Sequence, residues 1–111
     1  MSPDDTSSLD DLGRWTEPAM LVLSSLAGGP KHGYAIIQDV REIASVTLGP
    51  GTLYGALARL EERGLIEALP ADARRRPYRL TGAGASALER QLSALQRVAR
   101  VGLRRLQGAT A

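Results

Sequence analysis

Apolar residues fall into separate patches along the chain, and the spacing changes from patch to patch. Met20, Leu21, Leu23 and Leu26 follow Thr16-Glu17-Pro18. That tripeptide supplies a hydroxyl cap, an acid in the first turn and a proline where its missing N–H is harmless. Gly28-Gly29-Pro30 ends this first predicted helix. A second is expected from about His32 to Ala44, with Tyr34, Ile37, Val40 and Ile43 facing inward. "SVTLGPG" then reads as a turn or short extended piece. A third helix opens at Pro50 and stops at Gly64, a left-handed cap, with Leu53, Leu57 and Leu60 forming one buried stripe.

Beyond Gly64 the period shortens. "LIEAL" and "PYRLT" alternate apolar with polar residues (Leu65, Glu67, Leu69; Tyr78, Leu80), and "PADARRR" lies between them. This predicts a β-hairpin with a basic tip. Residues 82–107 contain no proline, are rich in Ala, Leu, Arg and Gln, and read as one helix about 39 Å long at 1.5 Å per residue. At the other end, Leu9, Leu12 and Trp15 share a helical face interrupted by Gly13, so residues 1–15 are expected to form a short helix or extended arm. Residues 108–111 are expected to be a disordered tail. The element order α-α-α-β-β-α predicts a mainly α fold with a β-hairpin: a winged helix-turn-helix over residues 16–81, followed by a long C-terminal dimerisation helix over 82–107.

Composition narrows the class. The chain has 111 residues, enough for one domain, and a monomer of this size buries roughly two-thirds of its unfolded surface. Apolar residues make up 43% and there is no Phe, so the core must be aliphatic. Cysteine is absent, which excludes disulfides, thiolate metal sites and cysteine nucleophiles. No apolar run approaches the ~20 residues of a membrane span. The acidic opening "MSPDDTSSLDDLGRW" lacks the order of a signal peptide. A cytoplasmic location with no membrane partner is therefore expected.

The formal net charge is only +2, but its distribution is uneven. Five acids and one base lie between Met1 and Glu17. Ala71 to Leu80 holds one acid, Asp72, against Arg74, Arg75, Arg76 and Arg79. From Thr81 onward Glu89 stands against Arg90, Arg97, Arg100, Arg104 and Arg105. Concentrated positive charge is what a polyanion-binding surface requires.

With its leucines buried, the third helix would show Gly51, Thr52, Gly55, Ala58, Arg59 and Glu62 on a narrow, smooth face. A B-DNA major groove is ~12 Å wide, and small residues near the leading end of a helix permit close approach. Thr52 and Tyr54 lie in the first turn, where backbone N–H groups favour phosphate. Arg74, Arg75 and Arg76 present planar forks suited to phosphate or the minor groove. Beside an exposed helix, these arginines are expected to grip the duplex that the helix enters. A packing helix and a merely solvated loop are the plainer alternatives.

In the last helix, Leu88, Leu92, Leu95, Ala99, Gly102 and Leu106 recur at spacings of 4, 3, 4, 3 and 4, a heptad seam widened by Val98 and Leu103. The expected partner is the same helix of a second copy; the alternative is that the seam lies along its own domain. The lone histidine, His32, is expected to cap or pack the second helix. Trp15 is expected to anchor the arm, and Trp15 and Tyr34 are candidate contacts for a small-molecule ligand. No paired carboxylates, phosphate-cradling loop or nucleophile–base pair can be assembled, so no enzyme, metal or cofactor is expected.

"HGYAI", then "GPGTLYGALARLEERGLIEA" and "RRRPYRLTGAGASAL", resemble the PadR family of bacterial transcriptional regulators in residue type and spacing, over roughly Trp15 to Leu95. The resemblance implies a winged helix-turn-helix with a C-terminal dimerisation helix, usually repressing a nearby promoter and often released by a small molecule. It assigns Thr52, Leu53 and Tyr54 to the start of the recognition helix, Arg59 to its outward side, and Arg74 to Tyr78 to the wing. The single C-terminal helix is similar to that of the short subfamily, which often stacks ligands on an aromatic there; residues 82–107 carry none. The function expected is thus a homodimeric, sequence-specific regulator of double-stranded DNA, with a small-molecule effector as a further partner. The rival is a winged-helix module in which the arginines meet an acidic protein.

Overall fold

The structure, a computed structural model, describes residues 17–110. The expected arm with Leu9, Leu12 and Trp15, the Thr16 cap and Ala111 lie outside the described residues.

Helix α1 (Pro18–Leu26) carries proline at its first position, and Glu17 occupies the cap without a side-chain hydrogen bond. Leu21, Val22, Leu23, Ser25 and Leu26 are all buried, so this helix is covered on nearly every side. Its ring of neighbours explains why: α2 (Gly33–Ala44), α3 (Pro50–Glu62), strand β3 (Pro77–Leu80) and α4 (Gly82–Thr110) all pack on it. Ser25 is the one buried polar residue among them. Its hydroxyl donates to Asp39 Oδ2 of α2 at 2.7 Å, and Lys31 Nζ donates to its carbonyl at 2.5 Å. The polar group is thereby satisfied where an unpaired one would be costly.

Helix α2 corrects the expected phase. Gly33, Ile36 and Val40 are buried and Ile37 is half-buried, whereas Tyr34 is 63% and Ile43 56% exposed. A tyrosine has an apolar ring and a polar tip, so periodicity alone could not decide which way it faced. The stripe through Ile36 and Val40 meets α1 and α3, and that rotates Tyr34 outward. His32 caps the helix as expected, its Nδ1 accepting the Ala35 N–H at 3.4 Å. Helix α3 follows its expected pattern, with Leu53, Ala56, Leu57 and Leu60 buried and Gly64 beyond its end at φ 73°.

The hairpin gains a strand. Beside β2 (Ile66–Ala68) and β3 lies a two-residue strand, β1 (Lys31–His32), giving the antiparallel order β1-β3-β2. Lys31 faces Tyr78 and His32 faces Pro77; Ile66, Glu67 and Ala68 face Leu80, Arg79 and Tyr78. Ile66 is the strand residue that reaches the core, one place out of phase with the expected Leu65–Leu69 alternation, because β2 opens only at Ile66. The loop is also tighter than a seven-residue connection. Asp72 and Arg75 exchange two backbone hydrogen bonds of 2.8 and 2.9 Å around Ala73-Arg74, with Ala73 at φ 56°.

Helix α4 starts on a tight junction. Thr81 caps it by accepting the Gly84 N–H at 3.0 Å, and its hydroxyl donates to the Gly64 carbonyl at 2.7 Å. A Cβ on Gly84 would lie 1.9 Å from the Leu65 carbonyl oxygen, so only glycine lets the helix pass there. The helix runs to Thr110, not Gln107. Residues 108–110 are therefore its last turn and not a disordered tail, since one terminal glycine, Gly108, costs only about 1 kcal/mol against alanine. This is a winged helix with a helix of about 43 Å attached, at 1.5 Å per residue.

Gly84→Ala should destabilise the fold by about 3 kcal/mol or more, because the clash is with backbone. Gly55→Ala, whose Cβ would meet nothing closer than 3.8 Å, should instead stabilise it by up to about 1 kcal/mol. Denaturant titration of the two variants checks the pair.

Candidate nucleic-acid interface

The outward side of α3 consists of Gly51, Thr52, Tyr54, Ala58, Arg59 and Glu62, all exposed, with Gly55 half-buried. This follows from the opposite stripe: Leu53, Leu57 and Leu60 are at most 3% exposed. Beside it stands the turn carrying Arg74, Arg75 and Arg76, each exposed. Of the four arginines around the hairpin, Arg79 is occupied in an ion pair with Glu67 across β2 and β3. Three remain at the tip.

Tyr54 and the arginine turn are joined through a cavity of about 230 Å³ lined by His32, Gly33, Tyr34, Tyr54, Arg74, Arg75, Arg76 and Tyr78. Three separate segments build it. The start of α2 supplies His32, Gly33 and Tyr34, α3 supplies Tyr54, and the hairpin supplies the rest. Tyr54 lies so close over Gly33 that a Cβ there would come within 2.8 Å of its hydroxyl. Gln38 Nε2 donates to the Tyr34 hydroxyl at 3.1 Å, and Arg76 Nη1 donates to the Leu69 carbonyl at 3.4 Å. Tyr78 is half-buried. Burial raises its pKa above the usual 10.0, the Glu61 carboxylate adds to this, and Arg76 opposes it.

Thr52 and Arg59 lie on the α3 face outside this cavity. Tyr34, expected beside Trp15 as a ligand contact, instead joins the arginine turn, and Trp15 lies outside the described residues. His32 is the participant that residue patterning missed. Its capping position was legible, but β1, which brings it against the hairpin, is too short to leave a period.

The C-terminal seam divides. Leu88 is 5% exposed and belongs to the core of its own domain, so it is not available to a second copy. It is drawn in because Thr81 and Gly84 press the first turns of α4 onto the domain. Leu95 is half-buried, whereas Leu92, Ala99, Gly102 and Leu106 are exposed, as are Val98 and Leu103. An open groove runs between α4 and its own domain, lined in part by Ala27, Leu80, Leu92, Leu95 and Ala99.

Residues 22–90 match the transcriptional regulator PadR-like family. The chain is 47% identical over 85 residues to a 37.1 kDa protein in transposon TN4556 of Streptomyces fradiae, an alignment covering 77% of this chain and 25% of that protein. It is 32% identical over 77 residues to the transcriptional activator GvpE2 of Halobacterium salinarum, covering 69% of this chain and 39% of that one. The chain thus spans a quarter to two-fifths of the length of these curated relatives. Among solved structures, a PadR family transcription regulator from Clostridium difficile R20291 superposes with a TM-score of 0.72 at 30% identity, covering 80% of this chain and 97% of that chain.

Because Tyr78 holds its proton above pH 10, the stability its burial supplies is present below that pH and lost as pH rises through the elevated value. In Tyr78→Phe, the alkaline fall in unfolding free energy should shrink, together with the late phase of the ultraviolet tyrosinate titration. An unchanged titration curve would contradict the raised value.

Proposed function

The chain belongs to the PadR-like family of transcriptional regulators, and on that premise we propose that it works as a homodimer that binds duplex DNA and represses the promoter beneath it. Transcriptional regulators of this kind are not enzymes. The observation that carries the reading is the exposed Thr52–Arg59 side of α3 standing beside an arginine-tipped turn. In this reading residues 16–81 are the DNA-binding unit and the arm beginning at residue 82 is the pairing element.

The proposed mechanism follows from shape and charge. Helix α3 enters a major groove with its small residues leading, where Gly51 and Gly55 offer no bulk to hold the backbone away. Arg74 and Arg76 lie against the adjacent sugar–phosphate backbone or minor groove, and Arg59 and Thr52 meet groove edges. Support for pairing comes from the seam: Leu92, Val98, Leu103 and Leu106 are between 41% and 64% exposed, more apolar surface than an isolated helix keeps in water. A second α4 lying across the groove beside Leu92 and Leu95 would cover it. An effector competing for that groove would loosen the dimer and free the DNA.

Two α3 helices related by a two-fold axis require an inverted repeat with half-sites about 10 base pairs apart. A DNA-bound dimer would act in the cytoplasm, and no helix among the described residues is long and apolar enough to cross a membrane. Repression is the proposed direction, because a dimer lying on promoter DNA excludes the polymerase. The Halobacterium salinarum relative is an activator, so a promoter–reporter fusion with and without the protein decides the sign.

Genomic pulldown should recover inverted repeats. With about 6–10 phosphates contacted, affinity for a recovered duplex should fall roughly 10³- to 10⁵-fold between about 50 and 200 mM salt. Arg74→Ala with Arg76→Ala should lower the slope of log K against log salt by about 2. A salt-insensitive complex, or double-variant binding equal to wild type, would favour an acidic protein partner instead. Leu92→Glu with Leu106→Glu should convert a dimer to a folded monomer in sedimentation analysis; a wild type already monomeric at every concentration would end the dimer reading.

A further inference from the structure

Two nitrogen donors meet in the cavity between the start of α2 and the hairpin. His32 Nδ1 accepts from the Ala35 backbone N–H, a group that can only donate. An imidazole with one ring proton has one lone pair to accept with, and in the tautomer that keeps this cap the pair is on Nδ1 and the hydrogen on Nε2. Nε2 in turn lies 3.2 Å from Arg75 Nη1, and a guanidinium also only donates. The ring cannot accept from both the Ala35 N–H and the guanidinium, and in the capped tautomer Nε2–H and Arg75 Nη1–H face each other with no acceptor between them. An oxygen acceptor shared between them satisfies both, and a charged one gains most.

The surroundings select a negative ligand. Arg74 and Arg76 join Arg75 in the lining, and no described residue lining the cavity is acidic. The Tyr34 oxygen already accepts from Gln38, which leaves its hydroxyl proton to donate. Tyr78 keeps its proton through burial, with the Glu61 carboxylate nearby acting in the same sense. The two principal donors are also held in place from behind. His32 is fixed by its cap and by pairing with Pro77 in the sheet, and Arg75 by its reciprocal backbone bonds with Asp72.

We propose that this cavity is a phosphate-binding site in which His32 Nε2–H and the Arg75 guanidinium share one phosphate oxygen, and that its occupant is a backbone phosphate of the bound duplex. The inference rests on the DNA-binding reading and adds His32 and Tyr34 to it. The histidine thereby does two things at once: one nitrogen closes α2 and the other presents a proton to DNA. Inorganic phosphate carries the same oxygen chemistry, and the test separates the two sources.

His32→Asn keeps an oxygen where Nδ1 caps the helix and removes the Nε2 donor. His32→Gln restores an N–H near the Nε2 position and removes the cap. On a duplex recovered by pulldown, His32→Asn should bind about tenfold more weakly with unchanged melting temperature. His32→Gln should melt lower yet bind closer to wild type. In an Arg75→Ala background the His32→Asn loss should vanish, because the shared oxygen is already released. Inorganic phosphate should shift the His32 Nε2 resonance of the wild-type protein, and duplex should compete with it. His32→Asn binding equal to wild type, or affinities that simply track melting temperature, would overturn the site while leaving DNA binding intact. A phosphate shift that duplex does not compete away would overturn the DNA-backbone assignment. A protein that binds no duplex yet shows the shift would overturn the DNA-binding reading and keep the phosphate site.

Discussion

The Leu65 carbonyl is the point through which the two halves of this molecule are joined. It accepts the Thr81 N–H at 3.1 Å and lies where a side chain on Gly84 would have to go. Thr81 completes the junction by donating to the carbonyl of Gly64, the left-handed residue that terminates the run of α3. The end of one helix and the beginning of another are therefore bonded to the same two residues. An outward-facing helix and a long projecting arm keep a fixed relation because backbone bonds and the Thr81 hydroxyl make the contact, and the close approach at Gly84 leaves little room to absorb a shift.

That junction also explains how one helix serves two environments. The first turns of α4 are pulled onto the domain, and Leu88 is buried there with the α1 leucines. Further along, the same heptad leaves the domain behind, and its apolar positions emerge into solvent. The seam is continuous in sequence but not in surroundings. In the proposed dimer, packing against the domain and pairing with a second copy would be successive uses of one stripe, with Leu88 committed to the domain and Leu106 in solvent.

Charge is managed as economically. Glu67 neutralises Arg79 within the sheet, whereas the tight turn at Ala73-Arg74 holds three neighbouring arginines in the open. The β1 strand, two residues long, contributes little hydrogen bonding. Its consequence is positional, because it carries His32, and with it the start of α2 at Tyr34, to the side of the hairpin and closes a cavity that neither segment could form alone. In the proposed complex, that cavity lets the arginine turn act together with the start of α2 on one stretch of DNA backbone.

The order of the four helices and the hairpin, the span of α3, the buried Leu53–Leu57–Leu60 stripe, the His32 cap and the basic hairpin tip were all determined by the sequence alone. Each rests on contacts between residues close in the chain: caps, turns and a helical or strand period. The family resemblance followed from the same residues. The rotation of α2 that exposes Tyr34, the β1 strand, the withdrawal of Leu88 into the core and the meeting of His32 with Arg75 were decided only by the tertiary structure. His32 and Arg75 are 43 positions apart. No local period records such a pairing, because it exists only once α1 has gathered the other helices around itself and set the sheet against them.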